Sequence, residues 1–173
     1  MKENFKVGVE IEKKYIIAKP DLASLSKMEG YSKSTIEQIY LPSEDGTTHR
    51  VRRRTGGSGT TFTETRKIRI DKMSATEIEG EISEERYLEL ISKPKEGTRP
   101  INKVRHKFFY RGQMFEIDVY PEWEHTAIME TELDSREREV EFPSFLKIIR
   151  DVTGEKSYSN AAMSHKFPKE EQL

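Results

Sequence analysis

No cysteine occurs in the chain, which removes disulfides, thiolate metal sites and a cysteine nucleophile together. A chain of this kind suits a reducing compartment, and a cytoplasmic location is the expectation. No apolar run approaches the roughly 18 residues that a membrane helix needs. The opening stretch MKENFKVGVEIE has no signal-peptide core. Net charge is almost absent as well, since 30 Lys and Arg stand against 31 Asp and Glu. A global field that would gather nucleic acid or an anionic membrane is therefore missing. Charge of both signs is abundant instead, at 35% of 173 residues against 34% apolar. This length suits one domain with a real core, expected to span 1–173 with its core at about 7–163 and a tail at 164–173.

The apolar pattern alternates along most of the chain, which is the period of a strand with two unlike faces. Strands are expected at 7–17, 35–41, 48–55, 61–70, 76–82, 101–110, 113–120 and 126–134. PSEDG, GGSG and Arg111-Gly112 supply hairpin loops. Pro20-Asp21 can open a short helix reaching about residue 28. Ser83 can cap a second, with Glu84 and Glu85 in its first turn and Tyr87, Leu88, Leu90 and Ile91 on its apolar face. Phe145, Ile148, Ile149 and Val152 follow Pro143-Ser144 at helical spacing and predict a third helix closed by Gly154. The end, KFPKEEQL, is expected to fray. The resulting class is α+β, mostly β. Eight strands joined largely by hairpins suggest an antiparallel sheet, and closing it into a barrel with helices packed outside would remove its edges.

The charges are sorted by strand. Residues two apart share a face, which groups Glu10, Glu12 and Lys14 on the first strand and Arg50, Arg52 and Arg54 on the third. The fourth carries Thr63, Thr65, Lys67 and Arg69, the fifth Glu77, Glu79 and Glu81, and the sixth Lys103, Arg105 and Lys107. Glu116 and Asp118 follow on the seventh, then Glu130 and Glu132 on the eighth. The opposite faces carry apolar residues such as Ile17, Val51, Ile68, Ile70, Phe108, Phe115, Ile117 and Met129. A solvated outer face explains any one such strand. It explains the set poorly, because surfaces intersperse the two signs to gain cross-strand pairs. Rows of like charge need something to neutralise them. For paired carboxylates that is a hard divalent cation, and for Arg and Lys rows a phosphate chain. An inward-facing arrangement would hold both.

With those rows in view, Glu10-x-Glu12-x-Lys14 resembles the N-terminal signature of the CYTH superfamily, the triphosphate tunnel metalloenzymes. Arg50-x-Arg52, Thr65-x-Lys67, Glu77-x-Glu79, Lys103-x-Arg105, Asp118, Glu130-x-Glu132 and a C-terminal Tyr-Ser-Asn follow in order, so the resemblance covers about residues 7–163. It implies an eight-stranded tunnel using Mg²⁺ or Mn²⁺ to act on a small-molecule triphosphate. Members hydrolyse inorganic triphosphate, thiamine triphosphate or RNA 5′-triphosphate ends, or cyclise ATP. It further implies that Glu10, Glu12, Glu130 and Glu132 hold metal. Arg50, Arg52, Lys67, Lys103 and Arg105 would grip phosphates, with Arg54 lining the tunnel beside them. Lys14, Glu79 and Asp118 would act near the reacting group. Ala75 stands where many relatives have Arg, and Ser157 where they often have another.

Inorganic triphosphate is the first expectation, with a class IV-type adenylate cyclase, a thiamine triphosphatase and a non-catalytic polyphosphate- or nucleotide-binding module as alternatives. Tyr40, Trp123 and Phe62 read as packing residues more readily than as a base-binding cage. His49 and His106 share the apolar parity and read as structural. The acidic strands disfavour single-stranded nucleic acid. A monomer and a homodimer both stay open.

Overall fold

The computed structural model describes residues 5–173. Among the described residues are nine strands: β1 (Lys6–Ala18), β2 (Glu29–Leu41), β3 (Thr47–Gly56), β4 (Gly59–Arg69), β5 (Ser74–Ile82), β6 (Ile101–Tyr110), β7 (Gln113–Val119), β8 (Thr126–Glu132) and β9 (Ile148–Asp151). Their order is β5-β4-β3-β2-β6-β7-β8-β1-β9, every pairing is antiparallel, and β5 also pairs with β1. That last pairing closes an eight-stranded barrel and leaves β9 as an addition. The strand β1 carries the closure. Its first half, Lys6–Ile11, pairs with β5 on one edge, and its second half pairs with β8 and β9.

The turns follow from the residues that form them. Arg111 and Gly112 both have positive φ, 48° and 75°, which is what a two-residue hairpin between twisted strands requires. The helices α1 (Leu22–Ser26), α2 (Glu84–Ile91) and α3 (Asn160–His165) each begin at a side-chain cap. Asp21, Ser83 and Ser159 respectively accept a backbone N–H there.

Apolar residues fill three places. Outside the barrel, Tyr15, Ile17, Phe108, Phe115, Ile117 and Met129 pack with Leu25 and Leu146. Also outside, Leu41, Val51 and Ile82 lie with Tyr87 of α2. The third cluster is of the opposite parity: Ile16, Tyr40, Ile101, Tyr120 and Ile128 share the charged residues' side of their strands. With Trp123, Val152, Tyr158 and Met163 they form an apolar plug at one end of the barrel.

Three expectations are corrected. Residues 148–151 form β9 instead of a helix, and Phe145 is 38% exposed. Ile148 and Ile149 go to different clusters, as strand neighbours must, because the second half of β1 offers an edge beyond the reach of β5. The C-terminal segment is docked. Glu170 accepts the backbone N–H groups of Glu124, His125 and Thr126, Phe167 packs on the plug, and the Pro168 carbonyl accepts Trp123 Nε1 at 3.0 Å. Ile68 and Ile70 face outward but remain 45% and 55% exposed instead of joining the core.

Candidate functional site

The register sets the charge map of the lumen. Around the barrel, β7, β8, β1 and β5 form one continuous arc and bring Glu116, Asp118, Glu130, Glu132, Glu10, Glu12, Glu77 and Glu79. β4, β3, β2 and β6 form the other, with Lys67, Arg50, Arg52, Gln38, Lys103 and Arg105. Acids and bases therefore face each other across an enclosed space. Within the acidic arc, Glu12 lies directly opposite Glu132, and Glu116 opposite Glu130. Directly opposed like charges destabilise a sheet.

The plug closes the deep end, and the other end opens as a cleft of about 650 Å³ lined by Lys6, Glu10, Thr63, Glu77, Glu79, Glu81 and Glu132. Depth governs burial. The Lys103 and Asp118 side chains are 1% and 2% exposed, Lys14 and Glu130 are 12% and 16%, while Glu132 and Arg54 stand exposed toward the mouth.

Ion pairs join neighbouring strands, or strands one apart, along the lumen wall. Arg105 grips Asp118 with Nε–Oδ1 at 2.8 Å and Nη2–Oδ2 at 2.9 Å, and its Nη1 reaches Glu116 at 2.9 Å. Lys103 Nζ lies 2.9 Å from the same carboxylate. Lys14 Nζ is 3.3 Å from Glu130, and Lys67 Nζ is 2.8 Å from Glu10 and 3.9 Å from Glu77. Arg52 Nε donates to Gln38 Oε1 at 2.7 Å, whose Nε2 donates to the Tyr40 hydroxyl at 2.7 Å. Thr65 Oγ1 donates to Glu79 at 2.7 Å. Arg50 Nε is buried and has no hydrogen-bond partner among the described residues.

The protonation energetics divide the acids. Burial raises Glu12 well above the usual carboxylate range, and the charges of Glu130 and Glu10 add to it. Burial and Glu10 push Glu77 up to about 7, and burial with Glu10 and Glu116 raises Glu132. For Glu10 and Glu130 burial is overcome by Lys67 and Lys14 respectively, which hold each at about 2. Asp118, against the same burial, is driven far down by Arg105 and Lys103. On the basic side, burial works against the Lys103 ammonium, with Arg105 and Arg52 adding repulsion, and the Asp118 carboxylate at 2.9 Å opposes that loss. Burial, with Arg50 and Arg105, lowers Arg52 to about 10.

The metal, phosphate and catalytic candidates named from the sequence all stand on lumen parity, but they are not equivalent. Glu79, offered as catalytic, is held by Thr65 and has a lowered pKa, its burial offset by that hydrogen bond and by Arg50. Asp118 has both oxygens occupied by Arg105 and Lys103. Arg54 sits at the rim, its Nε donating to Ser34 Oγ at 3.1 Å. Ala75 is buried directly opposite Glu10, and Lys67 supplies the cation there. Gln38 and Tyr120 were not flagged in the sequence. Both share the lumen parity of their strands, but a neutral side chain on a charged face gives little sign of itself.

Among the described residues no three acidic or imidazole side chains gather around a common point as they stand. Glu10 and Glu130 are turned onto lysines instead. The donor set still suits a hard divalent cation. It is all carboxylate, and Glu12 lies among Glu10, Glu130 and Glu132 with its charge disfavoured by burial and by the carboxylates of Glu130 and Glu10.

Neither a protein-family model nor a curated protein matches the chain. Solved structures do. The inorganic triphosphatase NE1496 superposes with a TM-score of 0.57 at 26% identity, over 92% of this chain and 96% of that one. PH1819 of Pyrococcus horikoshii OT3 gives 0.57 at 23%, over 74% and 80%. A Hippeastrum protein, HpAC1, for which a dominant triphosphatase activity is described, gives 0.50 at 13%, over 73% and 81%. The last two, below a quarter identical, bear on the fold alone. The closed barrel, its inward rows of acids and bases and these superpositions show that the chain has the triphosphate-tunnel fold of the CYTH superfamily.

Proposed function

We propose that the chain is a divalent-metal-dependent triphosphatase and that inorganic triphosphate is its substrate. The observation that carries this reading is the division of the lumen into facing acidic and basic arcs, which matches a metal–triphosphate complex in both charge and shape. The likeness to an inorganic triphosphatase at 26% identity over nearly the whole chain supports it.

Glu12, with Glu10, Glu130 and Glu132, would hold the cation. When bound, Mg²⁺ or Mn²⁺ would neutralise phosphate oxygens and so ease attack of water on phosphorus. The chain's own residues bind and orient. Arg50, whose buried Nε lacks a partner, Arg52, Lys103 and Arg105 offer N–H donors to phosphate oxygens from one wall. Asp118 orients Arg105 and Lys103 and is too acidic to take a proton near neutrality. Lys14, deep on the opposite wall, sets a positive charge beside the reacting phosphoryl group. Glu77, poised at about 7, is the better proton acceptor for an attacking water than Glu79. Among the described residues the lining of the mouth is rich in acids and includes no aromatic side chain that could stack a base.

Phosphate release from inorganic triphosphate, ATP and thiamine triphosphate, each with Mg²⁺ and with Mn²⁺, tests the reading. Fastest release from inorganic triphosphate is expected. Cyclic AMP formed from ATP without phosphate release would replace it with a cyclase, and tight triphosphate binding with no turnover would replace it with a binding module.

A further inference from the structure

The Tyr-Ser-Asn segment at 158–160 takes no part in the chemistry above, yet it touches the pocket twice. Asn160, 8% exposed, is the first residue of α3, and Ser159 caps that helix by accepting Ala162 N–H at 3.1 Å. Its Oδ1 accepts Lys103 Nζ at 3.3 Å and the Tyr120 hydroxyl at 3.0 Å. Two residues before Asn160, the Tyr158 carbonyl accepts Lys14 Nζ at 3.1 Å. The turn itself is anchored. The Tyr158 ring lies in the plug against Trp123 under the Arg150 guanidinium, and its hydroxyl donates to Glu171 at 2.8 Å.

We propose that Asn160 is a positioning residue for Lys103, fixing the direction in which that ammonium presents its remaining N–H to a phosphate oxygen. The inference rests on the reading of the tunnel as a triphosphate pocket. An ammonium has three donors. Asp118 takes one at 2.9 Å and Asn160 a second, so a single N–H is left to point into the lumen. The Tyr120 ring, its centroid 5.9 Å from Nζ, covers the plug side. Tyr120 is fully buried and donates its own hydroxyl to Asn160, which fixes the amide with its oxygen toward both partners. Loss of the amide oxygen frees Lys103 to swing onto Asp118 alone, away from the phosphate. Two lysines on opposite walls, Lys14 and Lys103, thereby take their bearings from one turn.

The test is calorimetric affinity of the full chain for inorganic triphosphate, in chelator and again in excess Mg²⁺, with folding of each variant checked by circular dichroism. Lys103→Met is expected to weaken binding. Asn160→Ala is expected to weaken it by on the order of tenfold, as misplacement of a binding group does. Asn160→Asp, which keeps an acceptor oxygen for both partners, recovers most of the loss. In the double variant Asn160→Ala/Lys103→Met the affinity equals that of Lys103→Met alone, because Asn160 acts through the lysine. A full additive loss in the double variant, or Asn160→Asp as weak as Asn160→Ala, overturns the positioning role while leaving the pocket intact. No triphosphate binding by the wild-type chain, or none lost in Lys103→Met, overturns the pocket and the inference with it.

Discussion

Replacing Glu77 by Gln should stabilise the metal-free protein, by an amount that depends on pH. Glu77 shares the acidic arc with Glu10 and Glu79, and burial with those neighbours moves its pKa from 4.5 to about 7. Between those values the folded chain binds a proton that the unfolded chain has released. The group's contribution to stability is therefore complete below about 4.5 and is lost as pH rises through about 7. A shift of this size is worth at most about 3.4 kcal/mol at 1.36 kcal/mol per unit. The side chain is 23% exposed at an open mouth, and solvent screening reduces that to about 1.5–2 kcal/mol. Gln carries no such penalty. At pH 8.5 in chelator the variant should melt roughly 4–7 °C above wild type, and at pH 4.5 the two should melt together. Thermal unfolding followed by circular dichroism across this range reads the difference. A gap that stays constant with pH, or a variant less stable at pH 8.5, would refute the crowding of charge on which the tunnel reading rests.

Glu12→Gln should abolish triphosphate hydrolysis at ordinary Mg²⁺ while leaving the chain folded, since it removes a metal donor and relieves repulsion from Glu130 and Glu10; phosphate release beside a melting curve checks both halves. Asp118→Asn leaves Arg105 and Lys103 without their buried counter-charge and should cost about 3–5 kcal/mol in urea unfolding, far more than a rim pair would. Glu170→Ala removes the acceptor for the amides of residues 124–126, and their hydrogen exchange should quicken while triphosphate hydrolysis is unchanged.

The barrel was legible because period-two alternation assigns each strand residue to a face, and the charged parity of Glu10, Glu12, Arg50, Arg52, Lys103, Arg105 and Glu130 could not all be surface. Residues 145–152 misled because Phe145, Ile148, Ile149 and Val152 satisfy helical spacing. The sequence carries no sign that β1 would outrun β5 and offer Ile148–Asp151 an edge. The tail reads as frayed because Lys169, Glu170 and Glu171 dominate it. The donors to its carboxylates, the amides at 124–126 and Arg150, are distant in sequence and become neighbours only in the fold. Which acid pairs with which base was equally hidden. Lys67 meets Glu10 because β5 lies between their strands, and Lys14 meets Glu130 through the β1–β8 register.

The most direct measurement is a crystal soaked with tripolyphosphate and Mn²⁺, with anomalous scattering locating the metal. The account predicts a manganese peak inside the barrel on Glu12 and its acidic neighbours, with phosphate oxygens on Arg50, Arg52, Lys103 and Arg105. Triphosphate bound on the barrel's outer face, with the lumen holding neither metal nor phosphate, would contradict it.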